Sequence, residues 1–308
     1  MGSSIPSSPI NLTQTFHYST EIYDFEIHWT SLGDASSPPL IFVHGTPWSS
    51  RVWHVYAKSL AQHFHVYLFD NPGFGDSPLG KPRPDRKETV SAEVALDADL
   101  AQQSEIFATL FKHWENDWGQ TKAHVVAHDH GGLMSLRAHL LHGCDYRSLC
   151  LIDVVAVGPF GQPLFKLVAE NESVFTSLTG AVFEGVVEAY IRDAAFLELS
   201  KETMEMLKKP WIISEEGRKG FVRQMMQANS RSTAEIEGRY HEVGKKMPVN
   251  VIWGKEDKWI PVETAARLKD KLQAKSVVVV EGAGHLIMYD QAGQLGVELG
   301  WWFGNCNS

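Results

Sequence analysis

Apolar runs that alternate with helical patterns constrain the fold of this chain more than any other feature. The runs lie at residues 39–45, 65–70, 123–127 and 149–153. Between them, apolar residues recur at the spacing of amphipathic helices. Continuous apolar strands that alternate with helices are typical of a parallel sheet covered on both faces. We therefore predict an α/β fold.

The alternation stops in the second half of the chain and then resumes. Residues 158–246 show helical patterns and no convincing strand, whereas strand patterns return at 249–253 and 276–280. A helical insertion thus interrupts a sheet that is completed after it. We predict a core domain of residues 1–157 and 247–308 and a helical domain of residues 158–246.

Composition limits the possible partners. Hydrophobic residues make up 44% of the 308 residues, but no apolar run reaches the roughly 20 residues of a membrane span. The net charge is −9 and no dense basic cluster offsets it, so nucleic acid and membrane surfaces are not expected partners. Three cysteines in no paired pattern, and no secretory signal, predict a reduced cytoplasmic protein. The oligomeric state stays open.

Three short motifs follow three predicted strands. They are residues 127–132 (Ala-His-Asp-His-Gly-Gly), 254–257 (Gly-Lys-Glu-Asp) and 282–285 (Gly-Ala-Gly-His). The carboxyl ends of parallel strands meet at the edge of the sheet where ligands bind. The first motif has the small-x-nucleophile-x-Gly form of a strained strand-to-helix turn, with Asp129 at the nucleophile position. Asp129 could also serve only as the N-cap of the next helix. However, the three motifs supply a nucleophile, an acid and a histidine in the chain order of an α/β-hydrolase triad, which favours a catalytic role.

From about residue 20 to 303 the chain resembles the α/β-hydrolase superfamily. The strand-to-helix turn that carries the nucleophile is called the nucleophile elbow. An aspartate at this position, Asp129, places the resemblance in the branch of epoxide hydrolases and haloalkane and haloacid dehalogenases. Residues 44–47 (His-Gly-Thr-Pro) match the HGxP loop of that branch, whose proline peptide is typically cis, and residues 71–76 match its Gly-rich turn. The resemblance implies a mostly parallel eight-stranded sheet with helices on both faces. It also implies that residues 158–246, which we call the cap segment, form a helical cap.

The same resemblance implies a two-step reaction with a covalent intermediate. Asp129 would attack an sp³ carbon and form an alkyl-enzyme ester, which an ionised carboxylate can do without prior deprotonation. His285 would then activate water, and the backbone N–H groups of Thr46 and His130 would form the oxyanion hole. Water is then the second substrate, and we expect no cofactor.

Two acids could orient His285. Asp257 has the Gly-x-x-Asp context that most α/β hydrolases carry after the seventh strand. Asp153 ends the strand that follows the elbow, where some dehalogenases carry their acid, although it could be a simple turn former. We favour Asp257 and keep Asp153 as the alternative.

The histidines around the elbow also invite a metal-site interpretation. His124, His128 and His130 alternate along the chain, but His128 and His130 flank a tight turn and should point apart. Neither a third ligand nor groups that would orient one is evident. We therefore expect no metal site.

The substrate is less constrained than the mechanism. A small-to-medium hydrophobic organic substrate is expected, and the candidate residues to bind it are His44, Pro47, Trp48, Tyr190, Trp211 and Tyr240. The tyrosines would donate to an epoxide oxygen, and the tryptophans would donate to a halide. Dehalogenases of this branch carry Trp or Arg directly after the nucleophile, where this chain has His130, which suits an oxygen leaving group better.

Epoxide hydrolysis is therefore the favoured prediction. The alternatives are haloalkane or haloacid dehalogenation, ester or lactone hydrolysis, and a hydrolase-fold protein that binds a ligand without turnover.

Overall fold

A mixed β-sheet forms the centre of the computed structural model, which describes residues 9–84, 96–158 and 163–306. The strands are β1 (Gln14–Ser19), β2 (Tyr23–Leu32), β3 (Pro39–Val43), β4 (His65–Phe69), β5 (Lys81–Pro82), β6 (Ala123–His128), β7 (Tyr146–Ile152), β8 (Val249–Gly254) and β9 (Ser276–Val280). Their order in the sheet is β1-β2-β4-β3-β6-β7-β8-β9, with β5 beside β2. The pairs from β4 to β9 are parallel, whereas β1, β2 and β5 pair antiparallel.

Helices cover both faces of this sheet. They are α1 (His54–Leu60), α2 (Leu100–Glu115), α3 (His130–His142), α11 (Glu263–Leu272), α12 (Ile287–Asp290) and α13 (Ala292–Asn305). Alternate residues of β3 show why both faces are covered. Ile41 belongs to one hydrophobic cluster and Phe42 to another, because successive side chains of a strand point to opposite faces. Both side chains are fully buried, which explains the continuous apolar pattern.

The described residues between β7 and β8 form helices joined by short loops and contain no strand. The helices are α4 (Pro163–Glu170), α5 (Glu172–Ser177), α6 (Gly180–Ala194), α7 (Lys201–Ile212), α8 (Glu215–Gln227), α9 (Arg231–Glu237) and α10 (Val243–Lys246). Helices α6, α7 and α8 pack together and share a hydrophobic cluster with Trp48 and Phe74 of the core. Tyr240 and Val243, in contrast, pack with the sheet residues of the other cluster. Among the described helices, none is long and apolar enough to cross a membrane.

The predicted α/β fold class and mostly parallel sheet are confirmed. The main path of the sheet has eight strands, and the two-residue β5 adds a ninth. Strand β1 has no counterpart among the predicted strands, because its residues are polar or half exposed; among the described strands it pairs with β2 alone. Helix α2 begins at Leu100, and the side chain of its N-cap, Asp99, accepts a hydrogen bond from the Ala101 N–H.

Candidate active site

Asp129 stands in a strained turn between β6 and α3. Its backbone has φ 53° and ψ −129°, a conformation that non-glycine residues rarely adopt. The turn needs glycines after it: a Cβ at Gly131 would lie 2.7 Å from the carbonyl oxygens of Val43 and His44, and one at Gly132 would lie 2.4 Å from Val154. The predicted nucleophile elbow is therefore the geometry that this sequence adopts.

The loop after β3 holds one oxygen of Asp129. The backbone N–H of Thr46 donates to Asp129 Oδ1 at 2.7 Å. Strands β3 and β6 are parallel neighbours with Val43 opposite Ala127, so the loop and the elbow leave the sheet side by side. The Thr46–Pro47 peptide is cis, as the resemblance implied. Thr46 thus offers the hydrogen-bond donor that we predicted for an oxyanion hole.

The structure brings His285 between two carboxylates. His285 Nε2 lies 3.2 Å from Asp129 Oδ2, and His285 Nδ1 lies 2.9 Å from Asp257 Oδ2. The other oxygen of Asp257 accepts hydrogen bonds from the N–H groups of Trp259 and Ile260 at 2.7 and 2.9 Å. All three triad side chains are buried. The arrangement is that of nucleophile, base and orienting acid.

The charges of the site favour an ion pair in the resting protein. Burial opposes protonation of His285, but the carboxylates of Asp257 and Asp129 outweigh it and raise the pKa of His285 to about 10. Burial likewise opposes ionisation of Asp129, yet His130 and His285 lower its pKa below the usual value. The carboxylate of Asp129 is therefore held in its ionised form.

Asp153, the alternative acid, has a different environment. It also has a positive φ, of 46°, and it is fully buried. Its Oδ1 accepts a hydrogen bond from the Gly254 N–H at 2.7 Å, and its Oδ2 has no partner among the described residues. Burial, together with the charge of Asp257, raises the pKa of Asp153 well above its usual value. The protonated form of Asp153 is thus favoured, and Asp257 is the acid that contacts His285.

Two further histidines support the site from below. His128 donates through Nε2 to the carbonyl of His285 at 2.8 Å, and burial lowers its pKa to about 3. His44 donates through Nδ1 to the Gly45 carbonyl and accepts from the Asn71 N–H at 3.0 Å. Both histidines are fully buried, so their neutral rings fix backbone positions in the site. No cluster of three metal-ligating side chains occurs within the described ranges.

A cavity of about 260 Å³ opens onto Asp129. It is lined by Thr46, Asp129, His130, Val155, Val157, Phe165, Tyr190, Trp259, Ile260, Pro261, Glu263, Thr264 and Arg267. Apolar and aromatic side chains surround the nucleophile, which is the usual character of a small-molecule site. The Tyr190 hydroxyl is buried and has no hydrogen-bond partner among the described residues.

Several predicted substrate-binding residues do not line this cavity. The prediction that Tyr240 binds the substrate was wrong, because its hydroxyl donates to the Ala156 carbonyl at 2.7 Å within the hydrophobic cluster of the core. The prediction that Trp211 binds the substrate was wrong as well, since its indole N–H donates to the Pro47 carbonyl at 3.1 Å. His44, Pro47 and Trp48 are buried and are not among the residues that line the cavity. Tyr190 is the member of the predicted set that reaches the cavity.

Trp259 is a cavity residue that the sequence reasoning missed. Its ring lies 4.9 Å from the ring of His285 and 4.4 Å from that of Tyr190, measured between centroids. One signal was present in the sequence: Trp259 follows Asp257 by two residues, in a loop at the carboxyl edge of the sheet. A large aromatic side chain in that loop can extend to the rim of the active site.

Comparisons with known proteins agree with this fold. The model of the alpha/beta hydrolase family matches residues 40–296, so the chain belongs to that family. A solved alpha/beta hydrolase fold protein from Burkholderia ambifaria superposes with a TM-score of 0.81 at 32% identity, over 94% of this chain and 97% of that one.

Two curated proteins are more distant relatives. The abhydrolase domain-containing protein abhd-5.2 of Caenorhabditis elegans is 25% identical over 271 residues, which cover 82% of this chain but only 56% of that protein. The pimeloyl-acyl-carrier-protein methyl ester esterase of Aeromonas salmonicida is 23% identical over 256 residues, covering 80% of this chain and 88% of the esterase. This chain therefore spans little more than half the length of the nematode relative.

Proposed function

We propose that this hydrolase opens small hydrophobic organic epoxides through a covalent ester on Asp129, with the Tyr190 hydroxyl as donor to the leaving oxygen. One observation carries the proposal: Tyr190, whose buried hydroxyl has no partner among the described residues, lines the same cavity as the ionised carboxylate of the strained Asp129. Burial raises the pKa of Tyr190 well above its usual value, so the side chain is a neutral donor at ordinary pH.

The two oxygens of Asp129 have different surroundings, which assigns them different parts in the reaction. Oδ1 accepts from the Thr46 N–H, so it becomes the carbonyl oxygen of the ester. Oδ2 attacks the epoxide carbon as the ring C–O bond breaks, while Tyr190 gives its proton to the departing oxygen. The product of this half-reaction is a hydroxyalkyl ester of Asp129.

Alkylation also prepares the base for the second half-reaction. Once Asp129 is a neutral ester, one of the two carboxylates that favour the imidazolium is lost, and the pKa of His285 falls. The proton that His285 releases replaces the one that Tyr190 donated. Neutral His285 then takes a proton from water, which attacks the ester carbonyl, and the oxyanion forms on Oδ1 beside Thr46 and the predicted second donor, the His130 N–H. The oxyanion collapses, the ester bond between the Asp129 carbonyl carbon and the diol oxygen breaks, and the diol oxygen takes the hydroxyl proton that came with the attacking water. Asp129 returns as a carboxylate and His285 stays protonated, as in the resting protein. Epoxide and water thus give a diol with no net proton exchange.

The indole groups near the site favour an oxygen rather than a halide as the leaving group. Trp259 lines the cavity, but its N–H donates to Asp193 Oδ2 at 3.0 Å. The Trp211 N–H is bound to the Pro47 carbonyl, and Trp48 is not part of the cavity wall. Among the described residues, Trp259 is therefore the tryptophan that lines the cavity, and its N–H is already bound to Asp193.

Replacing Tyr190 by Phe tests the donor. We expect kcat on an aromatic epoxide such as styrene oxide to fall roughly 10²-fold or more, because positioned proton donors contribute about that much to such reactions. Steady-state assays of diol formation measure the effect. Tyr240→Phe is the matched control: it removes a buried hydroxyl of the core, and kcat should change by no more than about twofold.

A substrate panel separates the proposal from its alternatives. Aromatic and aliphatic epoxides, bromoalkanes, haloacetates and aryl esters are assayed with the wild type and the Tyr190→Phe variant. Faster turnover of a halide, insensitive to Tyr190, would support dehalogenation, and turnover of esters alone would support an esterase. Binding of these compounds without any turnover or adduct would identify a ligand-binding protein.

A further inference from the structure

Trp259 joins the cap segment to the triad through four contacts. Its ring stacks on Tyr190 with 4.4 Å between centroids and 26° between planes, and it lies 4.9 Å from the ring of His285 at 33°. Its indole N–H donates to Asp193 on α6, and its backbone N–H donates to Asp257. One residue therefore touches the proposed donor, the base and the orienting acid.

We propose that Trp259 is a positioning residue that holds Tyr190 in register with His285 and stabilises the imidazolium of His285 through its indole ring. The inference rests on the proposed function for the role of Tyr190. The part that concerns His285 is a property of the resting protein and does not depend on any substrate.

The stacking fixes two side chains that come from different parts of the chain. Tyr190 belongs to α6 of the cap segment, whereas His285 follows β9 of the core. Trp259 is also near-parallel to Trp48, with 5.9 Å between centroids and 17° between planes, so the indole is supported by a buried aromatic ring of the core. A misplacement of a reacting group by about 1 Å can lower the rate of such a reaction roughly 10²-fold. The position of the Tyr190 hydroxyl relative to His285 therefore matters for kcat.

The ring contact also bears on the charge of His285. A cation within about 6 Å of an indole centroid is attracted by the ring, and a contact of the usual strength changes a pKa by roughly half to one pH unit. Loss of the indole should therefore lower the pKa of His285. The other titratable groups that face His285 are Asp129, Asp257, Asp153, His128 and His130. A substitution at Trp259 leaves all of them in the chain, and the backbone N–H that binds Asp257 is kept.

The first experiment is a titration of the His285 ring by NMR in the protein without substrate, with the signal assigned from a His285→Gln variant. We expect Trp259→Leu to lower the pKa of His285 by about half to one pH unit. Trp259→Phe keeps an aromatic ring, so the pKa of His285 in this variant should lie closer to the wild-type value than it does in Trp259→Leu. Trp301→Leu, on the exposed surface of α13, is the control and should titrate as the wild type does. A Leu variant that titrates like the wild type, or a Phe variant that titrates like the Leu variant, would overturn the inference.

The second experiment measures the register of Tyr190. Trp259→Leu should lower kcat on the epoxide about tenfold while KM changes less than about threefold, since orientation rather than binding is lost. In a Tyr190→Phe background the same substitution should cost about twofold or less, because the hydroxyl that it positions is already gone. Equal losses in both backgrounds would contradict the positioning role. If no panel compound were turned over, the proposed function would fail, whereas the titration would still decide the role of the indole at His285.

Discussion

Asp129→Asn is expected to lower kcat by at least roughly 10³-fold on every substrate that the wild type hydrolyses, because loss of a nucleophile leaves only binding and electrostatic effects. The amide has the size of the carboxylate and can still accept from the Thr46 N–H, so the fold of the elbow should be retained. Turnover assays and intact-protein mass spectra measure the effect, and the variant should form no adduct.

Asp153→Asn provides the matched control for that substitution. Asp153 is another buried aspartate at a strand end with positive φ, but its raised pKa favours the neutral, protonated form, which an amide matches in charge. We expect kcat to change by less than about threefold. A loss in Asp153→Asn as large as that in Asp129→Asn would contradict the assignment of Asp257, rather than Asp153, as the orienting acid.

His285→Ala is expected to separate the two half-reactions. Asp129 remains ionised and can attack the substrate, but the base that activates water is missing. The ester should therefore accumulate, and the protein mass should rise by the mass of one epoxide within the first turnover. Steady turnover should fall roughly 10³-fold or more.

A double variant controls for nonspecific alkylation. His285→Ala combined with Asp129→Asn should form no adduct, and peptide mapping of the single variant should locate the added mass on Asp129. An adduct on another residue, or none in the single variant while the wild type is active, would argue against the covalent route.

The sequence was sufficient for the fold because apolar periodicity reports directly on burial. The runs at β3, β4, β6 and β7 are buried on both faces, so they contain almost no polar residues to confuse the pattern. Strand β1 escaped prediction because its residues are polar or half exposed and contain no continuous apolar run. Strand β9 lies at the opposite edge of the sheet and was predicted, since four consecutive valines mark it. Local patterns therefore predict a strand by its apolar run rather than by its place in the sheet.

The triad could be predicted for a similar reason. Asp129, His285 and Asp257 follow strand ends, and the order of parallel strands alone brings them to one edge. The cavity wall could not be predicted in this way. Tyr190 and Tyr240 both lie among apolar residues in helical stretches of the cap segment. Only the packing of distant helices decides which of the two reaches the cavity. The contact of Trp259 with His285 likewise depends on a loop conformation that no periodicity encodes.

The central claim, a covalent ester on Asp129, is tested most directly by single turnover in ¹⁸O-water with enzyme in excess. Water attacks the ester carbonyl in our account, so one heavy oxygen should remain in the carboxylate of Asp129 and the peptide that contains it should gain about 2 Da. The diol of that first turnover should carry only unlabelled oxygen. An unlabelled Asp129 peptide together with ¹⁸O in the diol would show that water attacks the substrate directly, and would contradict the account.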